Sequence, residues 1–591
     1  MRSLLLTFRR RRNTRPRRPP EEKSLRILLL VSSFNGLTQR VWCELRERGH
    51  SVAVEFARDE ESITDAARRA DPQLILCPFL KERVPTEVWQ KWPTVIVHPG
   101  PVGDRGPSSL DWAITDGVRE WGVTALQAVD EMDAGPVWAS RTFPLPTDPP
   151  TKSSLYNGPV ADAAMSCIAE VLTKVGDPDF RPTPPEELAK TRTRPTMRQT
   201  DRAFRWDEPA DAIVRRIRAA DGAPGVRTEV AGVRVSAFDA SVGPRQSDPP
   251  GTVVASRDGA VLVAAGTGSV WLGHLKLLAD VSPAGKKPIK LPAATVLADH
   301  LPPGLASPTT VAVKANQGVH YLRRGEVGYV VLDCYNGALS TNGCNQALHA
   351  LRHAARQDTR AIVVRGGDGP FCNGIHLNEI EAAKSPAAEA WANITAINDV
   401  CRELITNRGQ VMIAAFSGSA GAGGVMLALG ADLVVARDGV VLNPYYEMGL
   451  TGSELHTYTL PRRVGPDAAK RLLRDALPVG TAEAKRLGLV DEVGPRDPVR
   501  FSGWLHEVAL RYRDRELRER TLRRKAETLD RDLSARPLDA YEACELGEMA
   551  QDMFDDRHGF AAARRAFVGK EAPERTPAKL ALHRAPGFVR G

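Results

Sequence analysis

The sequence lacks closely spaced cysteine pairs. Its 591 residues include eight cysteines, and no two of them stand in a C-x-x-C arrangement. Structural zinc sites normally show such spacing, and disulfide-stapled domains are short and far richer in cysteine. We therefore expect neither a metal site nor a disulfide framework, and we expect a protein of the reducing cytoplasm.

Long hydrophobic runs are also missing. No apolar run approaches the roughly 20 residues that span a bilayer. The run LLLTF at residues 4–8 is too short for the apolar region of a signal peptide. It also precedes the arginines, whereas a signal peptide has the opposite order. The sequence therefore predicts no membrane partner.

The body of the chain has no excess of charge of either sign. The formal net charge is +8, but residues 1–20 contain eight arginines and no acidic residue, so the remainder is neutral overall. A nucleic-acid-binding protein usually shows a basic surface, so no nucleic-acid partner is expected. We interpret residues 1–24 as a basic disordered tail; an upstream start-codon artefact and a targeting signal are the alternatives.

The first strand–helix turn, SSFNG, lacks the G-x-G-x-x-G of dinucleotide-binding folds. Around it, continuous apolar strands alternate with helical stretches, which predicts a doubly wound α/β domain over residues 25–190. Residues 191–305 follow proline clusters and contain short alternating strands with D-G turns, which predicts a small β-barrel. Residues 306–591 show a second α/β pattern and a charged, helical C-terminal extension.

His98 is the first candidate catalytic residue. It ends the strand-like run TVIV, and Asp133 follows the strand-like run GVTALQAV. The carboxyl ends of strands in an open α/β sheet meet at one edge, where function concentrates. A carboxylate beside an imidazole fixes its tautomer and favours proton transfer near neutral pH. The alternative from spacing alone is that His98 caps a strand and Asp133 begins a turn.

The stretch HPGPVGDRGPSSLDWAI, followed by VDEMDAGPV, resembles the folate-dependent formyltransferases. The stretches RAADGAPGVRTEVAGVRV and PPGTVVASRDGAVLVAAGTGSVWL resemble the C-terminal barrel of methionyl-tRNA formyltransferases. The resemblance implies formyl transfer from 10-formyl-tetrahydrofolate with His98 and Asp133 as catalytic residues. The family's folate-binding loop falls on four residues of the glycine–proline loop: Gly100, Pro101, Val102 and Gly103. The family's catalytic asparagine is replaced by Ile96. Either another group donates the hydrogen bond to the oxyanion, or the acceptor is a more reactive nucleophile, such as a thiol, that needs less help.

Two glycine turns that lead into helices form the second candidate site. They are PFCNGIHLNEIE at 370–381 and AAFSGSAGAGGVMLALGADLVVA at 414–436. Amide groups at such turns can hold an oxyanion if both converge on one thioester carbonyl. The alternative is that they are left-handed turns and helix starts without a ligand.

Both turns resemble the signatures of the enoyl-CoA hydratase/isomerase (crotonase) superfamily, and AEAKRLGLVDEV resembles a third. The resemblance places the oxyanion N–H donors at Ile375 and Gly423. The first hydratase glutamate falls on Met426 and the second on or beside Tyr445, so alkene hydration is not expected. Tyr446 and Glu454 are the remaining acid/base candidates.

The fusion of these two halves resembles the HypX/HoxX-type [NiFe]-hydrogenase maturation proteins. This resemblance implies an α/β multidomain fold: a formyltransferase-type Rossmann-like domain, a small β-barrel and a crotonase-type α/β spiral domain with C-terminal helices. It implies formyl transfer from 10-formyl-tetrahydrofolate to coenzyme A, with His98 as the base, and decarbonylation of formyl-CoA to CO for the hydrogenase iron. The partners implied are small-molecule substrates and the hydrogenase maturation machinery. The alternative is a formyltransferase with another acceptor and a crotonase-like acyl-CoA-binding scaffold.

Overall fold

The computed structural model describes residues 24–282, 285, 287–305, 318–445, 447–585 and 588. All but one residue of the predicted basic tail lie outside this set, and so does Tyr446. Within the described residues, no helix combines the length and the apolar character needed to cross a membrane.

The first α/β unit is built on a six-stranded sheet in the order β2-β1-β3-β4-β6-β7. Strands β1 to β4 are parallel to one another, β6 is antiparallel to its neighbour β4, and β7 is antiparallel to β6. Its strands are β1 Arg26–Val31, β2 Ser51–Phe56, β3 Leu74–Cys77, β4 Thr94–His98, β5 Asp104–Arg105, β6 Glu120–Gln127, β7 Val137–Pro144 and β8 Arg192–Thr193. Its helices are α1 Gly36–Glu47, α2 Glu60–Ala70, α3 Thr86–Lys91, α4 Ser109–Asp116, α5 Lys152–Leu155 and α6 Ala161–Lys174.

Strand β1 shows why this sheet is covered on both faces. Ile27 and Leu29 belong to one hydrophobic core cluster and Leu28 and Leu30 to another, and all four are fully buried. Alternate side chains of a strand point to opposite faces, so a continuous apolar run requires packing on each side. Asn35 then begins α1, because its side chain accepts a hydrogen bond from the Thr38 amide at 3.0 Å.

The small β unit contains an antiparallel sheet in the order β11-β12-β13-β10-β9, with β14 paired to β13. Its strands are β9 Val226–Val230, β10 Val233–Gly243, β11 Val253–Arg257, β12 Ala260–Ala264, β13 Ser269–Leu277 and β14 Leu291–Pro292. Its helices are α7 Gln199–Arg202, α8 Ala210–Ala219 and α9 Ala293–Val296. Apolar residues of α8 and of the strands form one core.

The third unit carries the sheet β15-β16-β17-β18-β20-β22, parallel except for β15, and a small pair β19-β21. Its strands are β15 Val319–Arg324, β16 Val327–Leu332, β17 Ala361–Gly366, β18 Val411–Phe416, β19 Ala420–Gly421, β20 Leu433–Arg437, β21 Leu442–Asn443 and β22 Glu492–Gly494. Its helices are α10 Thr341–Ala355, α11 Leu377–Ala382, α12 Pro386–Thr406, α13 Gly423–Ala428, α14 His456–Val464, α15 Pro466–Asp475, α16 Thr481–Leu487, α17 Pro498–Leu510, α18 Arg515–Ala535, α19 Leu538–Phe554 and α20 Phe560–Val568.

The end of the chain returns to the first unit. Leu580 accepts a backbone hydrogen bond at 2.9 Å from Val54, on the edge strand β2. Buried Glu55 accepts hydrogen bonds from Thr576 at 2.7 Å and from Arg584 at 2.7 and 2.8 Å. The C-terminal segment therefore covers a sheet edge that would otherwise expose unpaired backbone groups.

Candidate functional sites

His98 lies between two carboxylates. Its Nδ1 is 3.3 Å from Asp133 Oδ1 and its Nε2 is 2.9 Å from Asp104 Oδ2. The structure thus brings together the two residues that the sequence singled out and adds Asp104, which sequence reasoning missed. The only signal for Asp104 was an acidic residue six positions after the histidine in a glycine–proline loop.

The backbone fixes both carboxylates. Strand β5 pairs with β8, and this pairing anchors the loop that carries Asp104. The Asp104 amide also donates to Pro101 at 3.0 Å. Asp133 has a left-handed backbone with φ of 56°, and its Oδ2 accepts a hydrogen bond from the Gly106 amide at 3.2 Å. These contacts leave both acids aimed at one imidazole ring.

The two carboxylates hold His98 in its protonated form. Burial by itself would lower the pKa of His98, but the hydrogen bonds to Asp104 and Asp133 and their charges outweigh it and raise the pKa to about 9. Burial would raise the pKa of Asp133, yet the His98 hydrogen bond and charge lower it. The sequence predicted a ring that accepts the thiol proton, whereas a ring with this pKa already carries a proton at neutral pH.

The two glycines of the loop after His98, Gly100 and Gly103, have no room for a side chain. A Cβ placed on Gly100 would lie 2.5 Å from His98 Nε2 and would also overlap Asp104 Oδ2. The Gly100 carbonyl accepts a hydrogen bond from Thr124 Oγ1 at 2.8 Å. Gly103 has φ of 87° and lies against the Lys190 carbonyl. These glycines keep the loop that also carries Pro101 and Val102 packed closely against His98, Asp104 and the Lys190 carbonyl.

Gly100→Ala is expected to lower formyl transfer by at least about 100-fold, because the new methyl group would push His98 away from Asp104. A kinetic assay of formyl transfer from 10-formyl-tetrahydrofolate measures this loss. Gly158→Ala is the matched control, since a Cβ there meets no atom within 4 Å. Full activity of the Gly100 variant would show that the close approach at this loop is not needed.

Ile96 supplies no polar group to this site. It lies on β4, two residues before His98, and its side chain packs against the apolar cluster behind the sheet. An oxyanion donor at the position of the formyltransferase asparagine must therefore come from another group. The protonated ring of His98 is a charged donor on the same strand, two residues further along.

The two glycine turns of the third unit meet. Gly374 has φ of 78°, and a Cβ placed on it would lie 3.2 Å from the amide nitrogen of Gly423. Leu339 donates to the Gly374 carbonyl at 2.9 Å and so fixes the turn that precedes Ile375. Within the described residues, no acceptor takes a hydrogen bond from the amides of Ile375 or Gly423. Two free donors on adjoining turns fit the carbonyl oxygen of an acyl group.

Glu454 faces these turns from a buried position. A Cβ on Gly423 would lie 2.5 Å from the Glu454 carboxyl carbon. Its Oε2 accepts hydrogen bonds from Tyr445 Oη at 2.9 Å and from the Ser453 amide at 3.0 Å. Burial raises the pKa of Glu454 to about 7, although these hydrogen bonds oppose the rise. A carboxyl group that titrates near neutral pH can both take and return a proton.

Distant helices support the Glu454 backbone. Asn398 on α12 accepts a hydrogen bond from the Glu454 amide at 2.8 Å. Glu545 on α19 accepts hydrogen bonds from the amides of Leu455 at 3.0 Å and Thr457 at 2.8 Å. Glu454 and Leu455 both have left-handed backbones, and such strain persists only where surrounding contacts hold it. The glutamate is therefore held in place by its surroundings.

Tyr445, the neighbour of the predicted Tyr446, contacts Glu454 through its hydroxyl group. It lies two residues after β21 and also donates to the Ser453 carbonyl at 3.1 Å. Asn443, on β21, donates to Gln39 of α1 at 2.9 Å, which joins this region to the first unit. Met426, where hydratases carry their first glutamate, is buried. Glu454 and Tyr445 are thus the acid–base groups that the described residues place beside the two free amides.

Comparison with known proteins agrees with this division of the chain. A profile of the formyl transferase C-terminal domain matches residues 196–293, and a profile of the enoyl-CoA hydratase/isomerase family matches residues 334–565. The hydrogenase maturation factor HoxX of Bradyrhizobium diazoefficiens is 40% identical over 575 residues, which cover 95% of this chain and 98% of that protein. The chain belongs to the HoxX/HypX family of hydrogenase maturation factors.

Other HoxX/HypX and formyltransferase relatives extend the comparison. The crystal structure of HypX from Aquifex aeolicus, in complex with tetrahydrofolic acid, has a TM-score of 0.90 and 38% identity, and covers 95% of this chain and 99% of that one. A methionyl-tRNA formyltransferase from a Roseiflexus species is 37% identical over 196 residues, or 32% of this chain and 55% of that protein. The predicted α/β multidomain fold and the predicted family are confirmed.

Proposed function

We propose that this chain transfers a formyl group from 10-formyl-tetrahydrofolate to the thiol of coenzyme A and then splits formyl-CoA into CO and coenzyme A. The CO would serve [NiFe]-hydrogenase maturation. The observation that carries the proposal is buried Glu454, aimed at two free amides in a crotonase-type unit that lacks a carboxylate at position 426. A formyltransferase-type site in the same chain would supply its substrate.

In the first step, His98 acts as the acid. Both N–H groups of the ring face carboxylates in the structure, so Nε2 first leaves Asp104 and donates its hydrogen bond to the formyl oxygen. Asp104 takes the thiol proton as the sulfur attacks the formyl carbon. The ring then gives its proton to N10 as the carbon–nitrogen bond breaks, and the proton lost by the thiol restores it. Asp133 stabilises the charged ring through Nδ1 during the transfer, and Asp104 passes the thiol proton back to Nε2. The products are formyl-CoA and tetrahydrofolate.

In the second step, Glu454 acts as the base. The amides of Ile375 and Gly423 hold the formyl oxygen, and the Glu454 carboxylate removes the formyl proton. The electron pair of that bond completes CO as the carbon–sulfur bond breaks. Glu454 returns the proton to the departing thiolate. Tyr445 positions the carboxylate through its hydrogen bond to Oε2. Tyr446, the other predicted acid–base residue, lies outside the described residues.

The test is incubation of the purified protein with 10-formyl-tetrahydrofolate and coenzyme A. We expect CO, detected by the absorbance change of reduced haemoglobin, and formyl-CoA, detected by chromatography and mass spectrometry. Omission of either substrate is the control and should abolish both products. Formyl-CoA without CO would leave the transferase step standing and contradict the decarbonylase step. Absence of both would contradict the proposal.

A further inference from the structure

One face of helix α19 contacts the loop that carries the proposed base of the second step. Three residues of the helix make these contacts, and because they are four and three positions apart they lie on one side of it: Glu545, Met549 and Asp552. The Thr451 amide donates to Asp552 Oδ2 at 2.7 Å, and the Gly452 amide donates to Met549 Sδ at 3.1 Å. The helix therefore fixes the loop through its backbone amides.

Glu545 contacts the residues on both sides of Glu454. Besides the amides of Leu455 and Thr457, its carboxylate accepts a hydrogen bond from the Thr457 hydroxyl at 2.5 Å, and Ser453 Oγ lies 3.1 Å away. The side chain of Glu545 is only 1% exposed. An ionised carboxylate has acceptor sites only, so three donors aimed at one side chain match its anionic form. Glu545 is thus a buried negative charge beside the loop.

Ser453 joins Glu545 to Glu454. Its amide donates to Glu454 Oε2 at 3.0 Å, and its hydroxyl lies 3.1 Å from Glu545 Oε2. Burial raises the pKa of Tyr445, and the charges of Glu454 and Glu545 both add to that rise, so the Tyr445 hydroxyl lies within reach of both charges. One serine therefore holds two carboxylates in a buried region, where charges interact more strongly than in water.

Within the described part of the chain, Glu545 forms no ion pair with a lysine or an arginine. His456 Nδ1 lies 3.5 Å from Glu545 Oε1, but it donates to the Ser453 carbonyl at 2.7 Å. Glu542, one turn earlier on α19, pairs with Arg402 of α12. The charge of Glu545 therefore acts on its surroundings without a lysine or an arginine to balance it.

The charge of Glu545 strengthens proton binding at Glu454. Burial raises the pKa of Glu454 to about 7; the hydrogen bonds from Tyr445 and the Ser453 amide oppose this rise, and the charge of Glu545 adds to it. Three thiols from other elements also lie within reach of the Glu454 charge, and they are uncharged because burial raises their pKa: Cys344 on α10, Cys372 in the first glycine turn and Cys401 on α12.

Asp552 makes the same kind of contact with the loop, but its charge is paired. Arg557 Nη2 lies 2.7 Å and His558 Nδ1 lies 3.0 Å from Asp552 Oδ1. Arg557 also pairs with Glu548 at 2.7 Å, so it keeps a partner if the charge of Asp552 is removed. One helix face thus carries two buried carboxylates, one paired with an arginine and one not.

We propose that Glu545 is a positioning residue of the decarbonylation step, which fixes the loop of Glu454 and places a second negative charge beside it, so that Glu454 is a stronger base. This inference rests on the proposed function, because Glu454 is the base of that reaction. A like charge disfavours the ionised form of a carboxyl group and so increases its affinity for a proton. Glu454 would then take the formyl proton more readily near neutral pH.

The test compares Glu545→Gln with Asp552→Asn in the pH dependence of CO release from formyl-CoA. Both variants remove a buried carboxylate that holds the same loop, but only the first removes an unpaired charge. We expect the midpoint of the rise in rate to fall by at least about 0.5 pH in Glu545→Gln. In Asp552→Asn it should stay at about 7, as in wild type. An unchanged midpoint in Glu545→Gln, or an equal shift in both variants, would overturn the inference.

Glu545→Asp separates the charge from the contacts, because it keeps the carboxylate on a shorter side chain. We expect a lower rate with a midpoint still at about 7, and a midpoint that falls in this variant would overturn the inference even if Glu545→Gln does not fold. Formyl-CoA formation by the first site reports whether each variant is folded.

If the wild-type protein releases no CO from formyl-CoA, the proposed function fails, and infrared spectroscopy still tests the pairing of the two glutamates. The carboxylic acid band that Glu454→Gln removes belongs to Glu454. We expect this band to titrate at about 7 in wild type and in Asp552→Asn, and at lower pH in Glu545→Gln. The same titration in all three proteins would overturn the inference.

Discussion

Glu454→Gln is expected to slow CO release from formyl-CoA by about 1000-fold, while formyl-CoA still forms and accumulates. Glutamine keeps the size of the side chain and can still hydrogen-bond with Tyr445, but it cannot accept the formyl proton. General acid–base catalysis of this kind typically contributes 10²- to 10⁴-fold. Separate assays of CO and of formyl-CoA measure the two steps.

The matched control is Glu447→Gln. Glu447 lies seven residues before Glu454, but it is exposed and pairs with Lys579 at 2.8 Å. Exposed pairs contribute little to stability, so this variant should release CO at the wild-type rate. Equal loss in both variants, or normal CO release by Glu454→Gln, would show that Glu454 is not the base.

The pH dependence of CO release provides an independent reading of the same residue. A base with a pKa of about 7 predicts that the rate rises with pH through about 7, as Glu454 loses its proton. The hydrogen bond from Tyr445 opposes the effect of burial, so Tyr445→Phe should move this midpoint to higher pH. A merely structural role for Tyr445 would lower the rate without moving the midpoint.

The alternation of strands and helices was predictable from sequence because it depends on local patterns of apolar residues. Continuous apolar runs such as β1 require a sheet covered on both faces, and glycine turns before helices marked the amides of the second site. The contacts between the units were not predictable. Thr576 and Glu55, for example, are separated by 521 residues, and nothing local in either segment indicates the other.

The candidate sites were predictable only to the extent that strands fix them. The sequence placed the ends of β4 and β6 at one sheet edge, but β6 runs antiparallel to β4, so these ends lie at opposite edges. Asp133 reaches His98 through the loop that follows β6, which strand patterns do not predict. Asp104 depends on a loop held by the pairing of β5 with β8, whose strands are two residues long and have no periodicity. Tyr445 and Tyr446 are identical neighbours, so only the folded backbone shows that Tyr445 reaches Glu454.

The stability of the first site should depend on pH through His98. Its pKa is raised from 6.5 to about 9. A group whose pKa rises on folding stabilises the folded state fully below its unfolded pKa and loses that effect as pH rises through the folded pKa. The stabilisation by the two carboxylates should therefore be complete below about pH 6.5 and lost through about pH 9. Chemical unfolding of wild type and of Asp104→Asn measures this effect: the difference between their free energies of unfolding should shrink as the pH rises from about 6.5 to about 9.

His98→Gln is expected to abolish formyl-CoA formation by at least about 1000-fold and to leave CO release from added formyl-CoA intact. The reason is that glutamine cannot carry the positive charge that two carboxylates hold on His98, and in the proposed mechanism the charged ring is the donor that replaces the family's asparagine, which is Ile96 here. The second activity of the same chain reports whether the variant is folded.

Asp104→Asn keeps the imidazole ring of His98 but removes one carboxylate that holds its proton. The pH at which the rate of formyl transfer falls on the alkaline side should therefore move below pH 9. If that pH did not move, or if His98→Gln still transferred the formyl group, the charged imidazole would not be the acid of this reaction.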